Sequence, residues 1–103
     1  DFNRGSIFKY VVRREGKEHL RSLQSALFYL EDFWEYGEYP YIRHDVERKL
    51  WEMIEAHAVA DKRPLDKEFF WAFLDLVKDP GDFRSYNRVK AALQALIEAA
   101  PKP

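Results

Sequence analysis

Residues 17–36 read KEHLRSLQSALFYLEDFWEY, and within them Leu20, Leu23, Leu27, Leu30 and Trp34 step by 3, 4, 3 and 4. Apolar side chains at that spacing share one face of an α-helix, so the stretch reads as an amphipathic helix over Lys17–Tyr36. Gly37 closes it, because glycine accepts the left-handed backbone that ends a helix. A helix with one apolar stripe must bury it against other elements, and the rest of the chain is read for those partners.

Upstream, Phe2–Arg14 reads as a first helix: Ile7, Phe8, Val11 and Val12 lie at i, i+1, i+4 and i+5, and Gly16 supplies the stop. The consecutive valines leave a strand open as the alternative there. Downstream, Pro40 sits among tyrosines in GEYPYI, residues 37–42, and breaks the pattern into a loop. A third helix follows, capped by Asp45, with Val46, Leu50, Met53, Ile54 and Ala58 as its stripe and Trp51 at its edge, ending in the run from Asp61 to Pro64. The fourth takes Asp66 as its cap, runs to Val77 and buries Phe69, Phe70, Phe73, Leu74 and Val77. The fifth opens at Asp82 or Ser85, carries Val89, Leu93, Leu96, Ile97 and Ala100, and stops at Pro101. No stretch alternates with the two-residue period of a strand, so the fold class is all-α: a single domain of about five helices, divided near Pro40 into a helical pair and a three-helix part.

Composition bounds the function. A chain of 103 residues with 47% apolar and 34% charged residues can bury a core and cover it. Seventeen basic against eighteen acidic residues leave a net charge of -1, so the bulk attraction behind non-specific nucleic-acid binding is missing and an anion site has to be local. The absence of cysteine excludes disulfides and thiolate chemistry and fits a reducing cytosol. No apolar run approaches the roughly 20 residues of a membrane span. The chain opens on Asp1 rather than methionine, and a trimmed or partial product is the expectation.

Three cations stand beside the leading helix. Lys9 and Arg13 are four residues apart, close to one turn, and Lys17 lies just past the glycine turn, so the three can converge on one phosphate. Arginine presents a fork of donors and lysine a mobile point charge, which suits a nucleotide. The alternative is that they complement the negative end of the helix and face water. Glu31, Asp32, Glu35 and Glu38 crowd the C-terminal end of the second helix, where their charge opposes its dipole. Glu31 and Glu35, one turn apart, are candidates to hold Mg²⁺ bridging to a bound phosphate, against the plainer reading of a solvated face or salt bridges to Arg43 and Arg48. His19, His44 and His57 lack the spacing of a transition-metal site. Tyr36, Tyr39 and Tyr41 surround the proline loop and can stack a base or dock a protein, or fold back on their own helices.

The run GSIFKYVVRREGK, residues 5–17, followed by LQSALFYLEDF, residues 23–33, resembles the signature of the SaV-like family of small phage proteins. Gly5, Lys9, Tyr10, Arg13, Lys17, Leu23, Ala26, Tyr29 and Leu30 stand where that pattern asks; Ser6 replaces its usual asparagine, and Ser22 and Ser25 replace a common acid and base. The resemblance covers about residues 1–35, without the family's upstream proline, histidine and tyrosine, and the second half has no counterpart in it. The family includes a region of a phage deoxynucleoside monophosphate kinase that lacks a recognisable P-loop. The resemblance therefore implies nucleotide metabolism in the cytoplasm of an infected bacterium.

Three functions follow. In a nucleotide-binding protein, Lys9, Arg13 and Lys17 bind phosphate, Tyr10, Tyr36 and Tyr39 take the nucleoside, and Glu31 and Glu35 hold Mg²⁺ if a metal is used. Short helices leave little room for a deep pocket, so a homo-oligomer is expected to complete the site. In a non-enzymatic interaction module, Trp34, Trp51 and the tyrosine loop bind a host or phage protein. A nucleic-acid binder, disfavoured by net charge, requires one basic face from Arg4, Lys9, Arg13, Arg14 and Lys17, with a second from Arg84, Arg88 and Lys90.

Overall fold

The apolar spacings above are realised as five helices in a computed structural model: α1 (Phe2–Val12), α2 (His19–Glu35), α3 (His44–Ala60), α4 (Pro64–Lys78) and α5 (Phe83–Ala99). The structure describes residues 2–14, 19–36 and 44–101, with the backbone alone of Phe2, Asn3, His44, Asp45 and Val46. Gly16, Gly37 and the tyrosine loop lie outside the described residues, as does the side chain of Asp45. No strand occurs among the described residues, so the valines of α1 are helical.

α1 pairs with α2, α4 packs against both α3 and α5, and α2 lies across α5. Every helix enters one core. Ile7 and Val11 of α1, Leu23 and Leu30 of α2, Ile54 of α3, Phe69 and Phe73 of α4, and Val89 and Leu93 of α5 are all fully buried. Phe69 stacks on Phe73 at 5.4 Å and meets Phe70 edge-on, so the phenylalanine block of α4 is core rather than a platform for a base. Burial of these side chains at roughly 1.5–3 kcal/mol each is what offsets the ordering of the chain.

Four details differ from the expected pattern. Val12 is 37% exposed and Met53 is 52% exposed. In α3 the buried face is turned toward Leu50, Trp51, Ile54, His57 and Ala58, with His57 packed against the rings of Phe8 and Phe70 at 5.2 and 5.3 Å. Asp66 is not a cap: α4 starts at Pro64, whose missing N–H costs nothing at a helix start, and the capping position is Arg63, which makes no side-chain cap. Asp66 is instead buried and paired with Arg14 and Arg63. The basic face does not form either, because Arg4 and Arg14 are only 2% and 4% exposed.

That last point organises α1. Arg4, Ile7, Phe8, Val11 and Arg14 recur at helical spacing and all face inward, so the core stripe of α1 carries an arginine at each end. Arg4 reaches Glu47 of α3 at 3.6 Å, and Arg14 reaches Asp66 of α4. Burial pushes the Arg4 guanidinium down from its ordinary value, and Glu47 works in the opposite direction. A buried guanidinium has to be paired, so both ends of α1 are tied to the second half of the chain.

The fifth helix begins as expected: Asp82 caps it, accepting from the Arg84 N–H at 3.2 Å and the Ser85 hydroxyl at 2.7 Å.

Candidate functional site

With 4, 7, 8, 11 and 14 turned to the core, the neighbouring face of α1 carries Ser6, Lys9, Tyr10 and Arg13, spaced i, i+3, i+4 and i+7. These four side chains, with Ser22 and Tyr29 of α2, line a groove of about 310 Å³ along the seam between the two helices. Lys9 and Arg13 are exposed, whereas Ser6, Tyr10, Ser22 and Tyr29 are half-buried. The Arg13 N–H donates to the Lys9 carbonyl at 3.0 Å, extending the helical spacing one residue past α1 and holding the two cations one turn apart.

The wall of the groove is aromatic. Tyr10 stacks on Tyr29 at 5.8 Å with an interplanar angle of 14°, bridging α1 and α2. Phe28, 65% exposed, meets the edge of Tyr29 at 5.6 Å. Ser22 belongs to the first turn of α2, the positive end of that helix. Hydroxyls, an ammonium, a guanidinium and a helix N-terminus are all groups that stabilise an anion.

Of the expected phosphate ligands, Lys9 and Arg13 are therefore brought to one groove, and Tyr10 stands beside them. Lys17 and Tyr39 lie outside the described residues, as do Glu38 and Tyr41. Tyr36 is 71% exposed, two helical turns beyond Tyr29, and does not line the groove. Glu31 and Glu35 are exposed on α2 and do not line it either. Among the described residues no three or more histidine or carboxylate side chains form a metal-binding group. Ser6, Ser22 and Tyr29 were not expected in the site. Their signal in the sequence was the i, i+3, i+4, i+7 polar stripe from Ser6, and the two-turn spacing of Ser22 and Tyr29 that matches it from α2.

A second concavity, of about 470 Å³, opens at the α4–α5 turn between Asp75, Lys78, Asp79, Asp82, Arg84, Ser85 and Arg88. Its charges are largely committed to one another. Arg88 bridges Glu68 and Asp75 at 3.2 and 3.1 Å, and Asp82 is held by its capping bonds. The hydrogen bond from Ser85 is the main cause that keeps the Asp82 carboxyl below the ordinary carboxylate value. Of the second basic face expected from Arg84, Arg88 and Lys90, Arg88 is thus paired with acids, whereas neither Lys9 nor Arg13 of the α1–α2 groove pairs with an acid among the described residues.

The tryptophans serve packing. Trp34 stacks on Tyr86 at 4.5 Å and lies 5.7 Å from Phe83, and Lys78 sits 5.8 Å over the Trp51 ring. No helix among the described residues is long and apolar enough to cross a membrane. Comparison of the chain with protein-family models, curated proteins and solved structures finds no match.

Proposed function

We propose that this chain is a nucleotide-binding protein whose phosphate site is the α1–α2 groove. Lys9 and Arg13 hold the phosphate in a groove that the Ser6 and Ser22 hydroxyls also line, and the Tyr10–Tyr29 stack with Phe28 at its edge receives the nucleoside ring. The observation that carries this reading is the pair of cations, without an acid partner among the described residues, one turn apart in a groove walled by stacked tyrosines. The likeness of residues 1–35 to the SaV-like signature supports it, since Lys9, Tyr10, Arg13 and Tyr29 are all signature positions.

The reading is binding rather than phosphoryl transfer. Transfer requires charge neutralisation on both sides of the moving group and a means of orienting the attacking oxygen. The acids expected to bring Mg²⁺, Glu31 and Glu35, are not among the groove residues.

Thermal denaturation of the purified chain with nucleoside monophosphates and triphosphates tests the proposal. A ligand present at 100 times its dissociation constant adds about 2.7 kcal/mol of stability. Lys9→Ala and Arg13→Ala, at exposed positions, are expected to fold normally and lose the shift. No shift with any nucleotide, or an undiminished shift in both variants, would rule the proposal out.

A second reading, an interaction module for another protein, rests on Phe83, which is 58% exposed while packed against Trp34 and Tyr86. Retained partner binding in Lys9→Ala with loss in Phe83→Ser would favour it over the nucleotide site.

A further inference from the structure

The donor set of the groove bears on the form of the ligand as well as its class. Resting on the nucleotide reading above, we propose that the groove takes a phosphate monoester in its dianionic form, free of a divalent cation, in preference to a Mg²⁺-bound triphosphate. The basis is a match of charge and length. Lys9 and Arg13 contribute two positive charges, Ser6 and Ser22 contribute neutral donors, and no described lining residue is an acid. A monoester phosphate above its second pKa, about 6, carries two negative charges on three equivalent oxygens. A guanidinium fork with an ammonium one turn away can engage those three oxygens together.

A Mg²⁺-bound triphosphate fits this set poorly, for two reasons. Magnesium keeps much of its water and takes one or two protein carboxylates beside the phosphate oxygens, and the described lining offers it only cations and hydroxyls. The triphosphate chain also needs positive groups along its whole length. Among the described residues the two cations are about 6 Å apart along the helix axis, and the next position toward Ser6 is a hydroxyl. The Tyr10–Tyr29 stack lines the same groove as the two cations, so a ring bound against it is expected beside a single phosphate rather than beyond three.

Isothermal titration of the whole chain decides this with five probes: a nucleoside monophosphate, its triphosphate with and without Mg²⁺, the unphosphorylated nucleoside and inorganic phosphate. The monophosphate is expected to bind equally well with Mg²⁺ or with a chelator. It should bind at least about tenfold more tightly than the Mg²⁺-triphosphate, a difference of about 1.4 kcal/mol. Its affinity should fall as the pH drops below about 6, where the dianion is lost. Lys9→Gln and Arg13→Gln are expected to remove the preference while leaving the fold intact by circular dichroism.

The outcomes separate the two proposals. Tighter binding of Mg²⁺-triphosphate, or monophosphate binding that needs Mg²⁺, with dependence on Lys9 and Arg13 retained, overturns the dianion preference and keeps the nucleotide site. Inorganic phosphate binding as tightly as the monophosphate keeps the preference and removes the nucleoside. Absence of binding by all five probes overturns both.

Discussion

The guanidinium of Arg14 and the carboxylate of Asp66, 52 positions apart in the chain, meet as a buried ion pair that ties the end of α1 to the start of α4. Arg14 also donates to the Val11 carbonyl at 3.2 Å, and Asp66 receives a second arginine, Arg63, at 3.1 Å. Removing one partner of such a pair strands a charge away from water, whereas replacing both by apolar groups does not. Asp66→Ala is therefore expected to lower the unfolding free energy by about 3–5 kcal/mol, and the double variant Arg14→Met, Asp66→Leu to recover most of it. Urea denaturation of the three proteins checks this, and a loss below about 1 kcal/mol in the single variant would show that water still reaches the pair.

Lys67 closes the preceding helix from outside. Its ammonium donates to the carbonyls of Ala58, Val59 and Asp61 at 2.8, 3.3 and 3.3 Å, groups that the end of α3 leaves without helical partners. Lys67→Met keeps the length of the side chain and removes the donors, so a loss of about 1–3 kcal/mol is expected, against almost none for a charge removed from open surface. Lys62→Met, at an exposed position, is the matched control in the same denaturation experiment.

Gly5 lies within α1, and a Cβ added there meets nothing within 4 Å. Neither close packing nor a left-handed backbone requires glycine at this position. Gly5→Ala should then stabilise the protein by about 0.5–1 kcal/mol through the lower entropy of its unfolded chain. A rise in thermal midpoint without loss of ligand binding would confirm it, and a fall would mean that a ligand or partner approaches the backbone at Gly5.

Adjacent residues of α3 should behave oppositely. Ile54 is fully buried and Met53 is 52% exposed, so Ile54→Ala should cost about 2–5 kcal/mol and Met53→Ala under about 0.5 kcal/mol. Comparable costs for the two would place the buried face of α3 elsewhere.

Acid should destabilise the fold through two hydrogen-bonded carboxylates, Asp61 and Asp82. Hydrogen bonding from Arg63, the largest cause, holds Asp61 below the ordinary value of 3.8, and Ser85 does the same for Asp82. A carboxyl whose folded pKa is depressed binds fewer protons folded than unfolded. Its stabilisation is present above 3.8 and is lost as the pH falls through the folded value. The thermal midpoint should decline as pH drops from about 5 toward about 1, and Asp61→Asn with Asp82→Asn should flatten that decline. An unchanged slope in the double variant would assign the acid sensitivity to other carboxylates.

Much of this molecule could be read before folding it. Helix class and number followed from the spacing of Leu20 to Trp34, Phe69 to Val77 and Val89 to Ala100, because a residue's place around a helix depends only on local geometry. Lys9 and Arg13 were recognisable as neighbours for the same reason. Spacing leaves the buried face open where two faces compete for adjacent positions. Met53 and Val12 fit an apolar stripe as well as Trp51 and Val11 do, and the choice between them is made by what the helix packs against.

Sequence spacing alone thus determined the five helices and the cation pair one turn apart. Tertiary structure decided the direction of each charge. Arg13 and Arg14 are consecutive, yet one lines the groove and the other is buried on Asp66. Ser22 and Tyr29 joined the site only when α2 came to lie beside α1. An ion pair across 52 positions and a groove between two helices depend on distances that the local period of the chain does not contain.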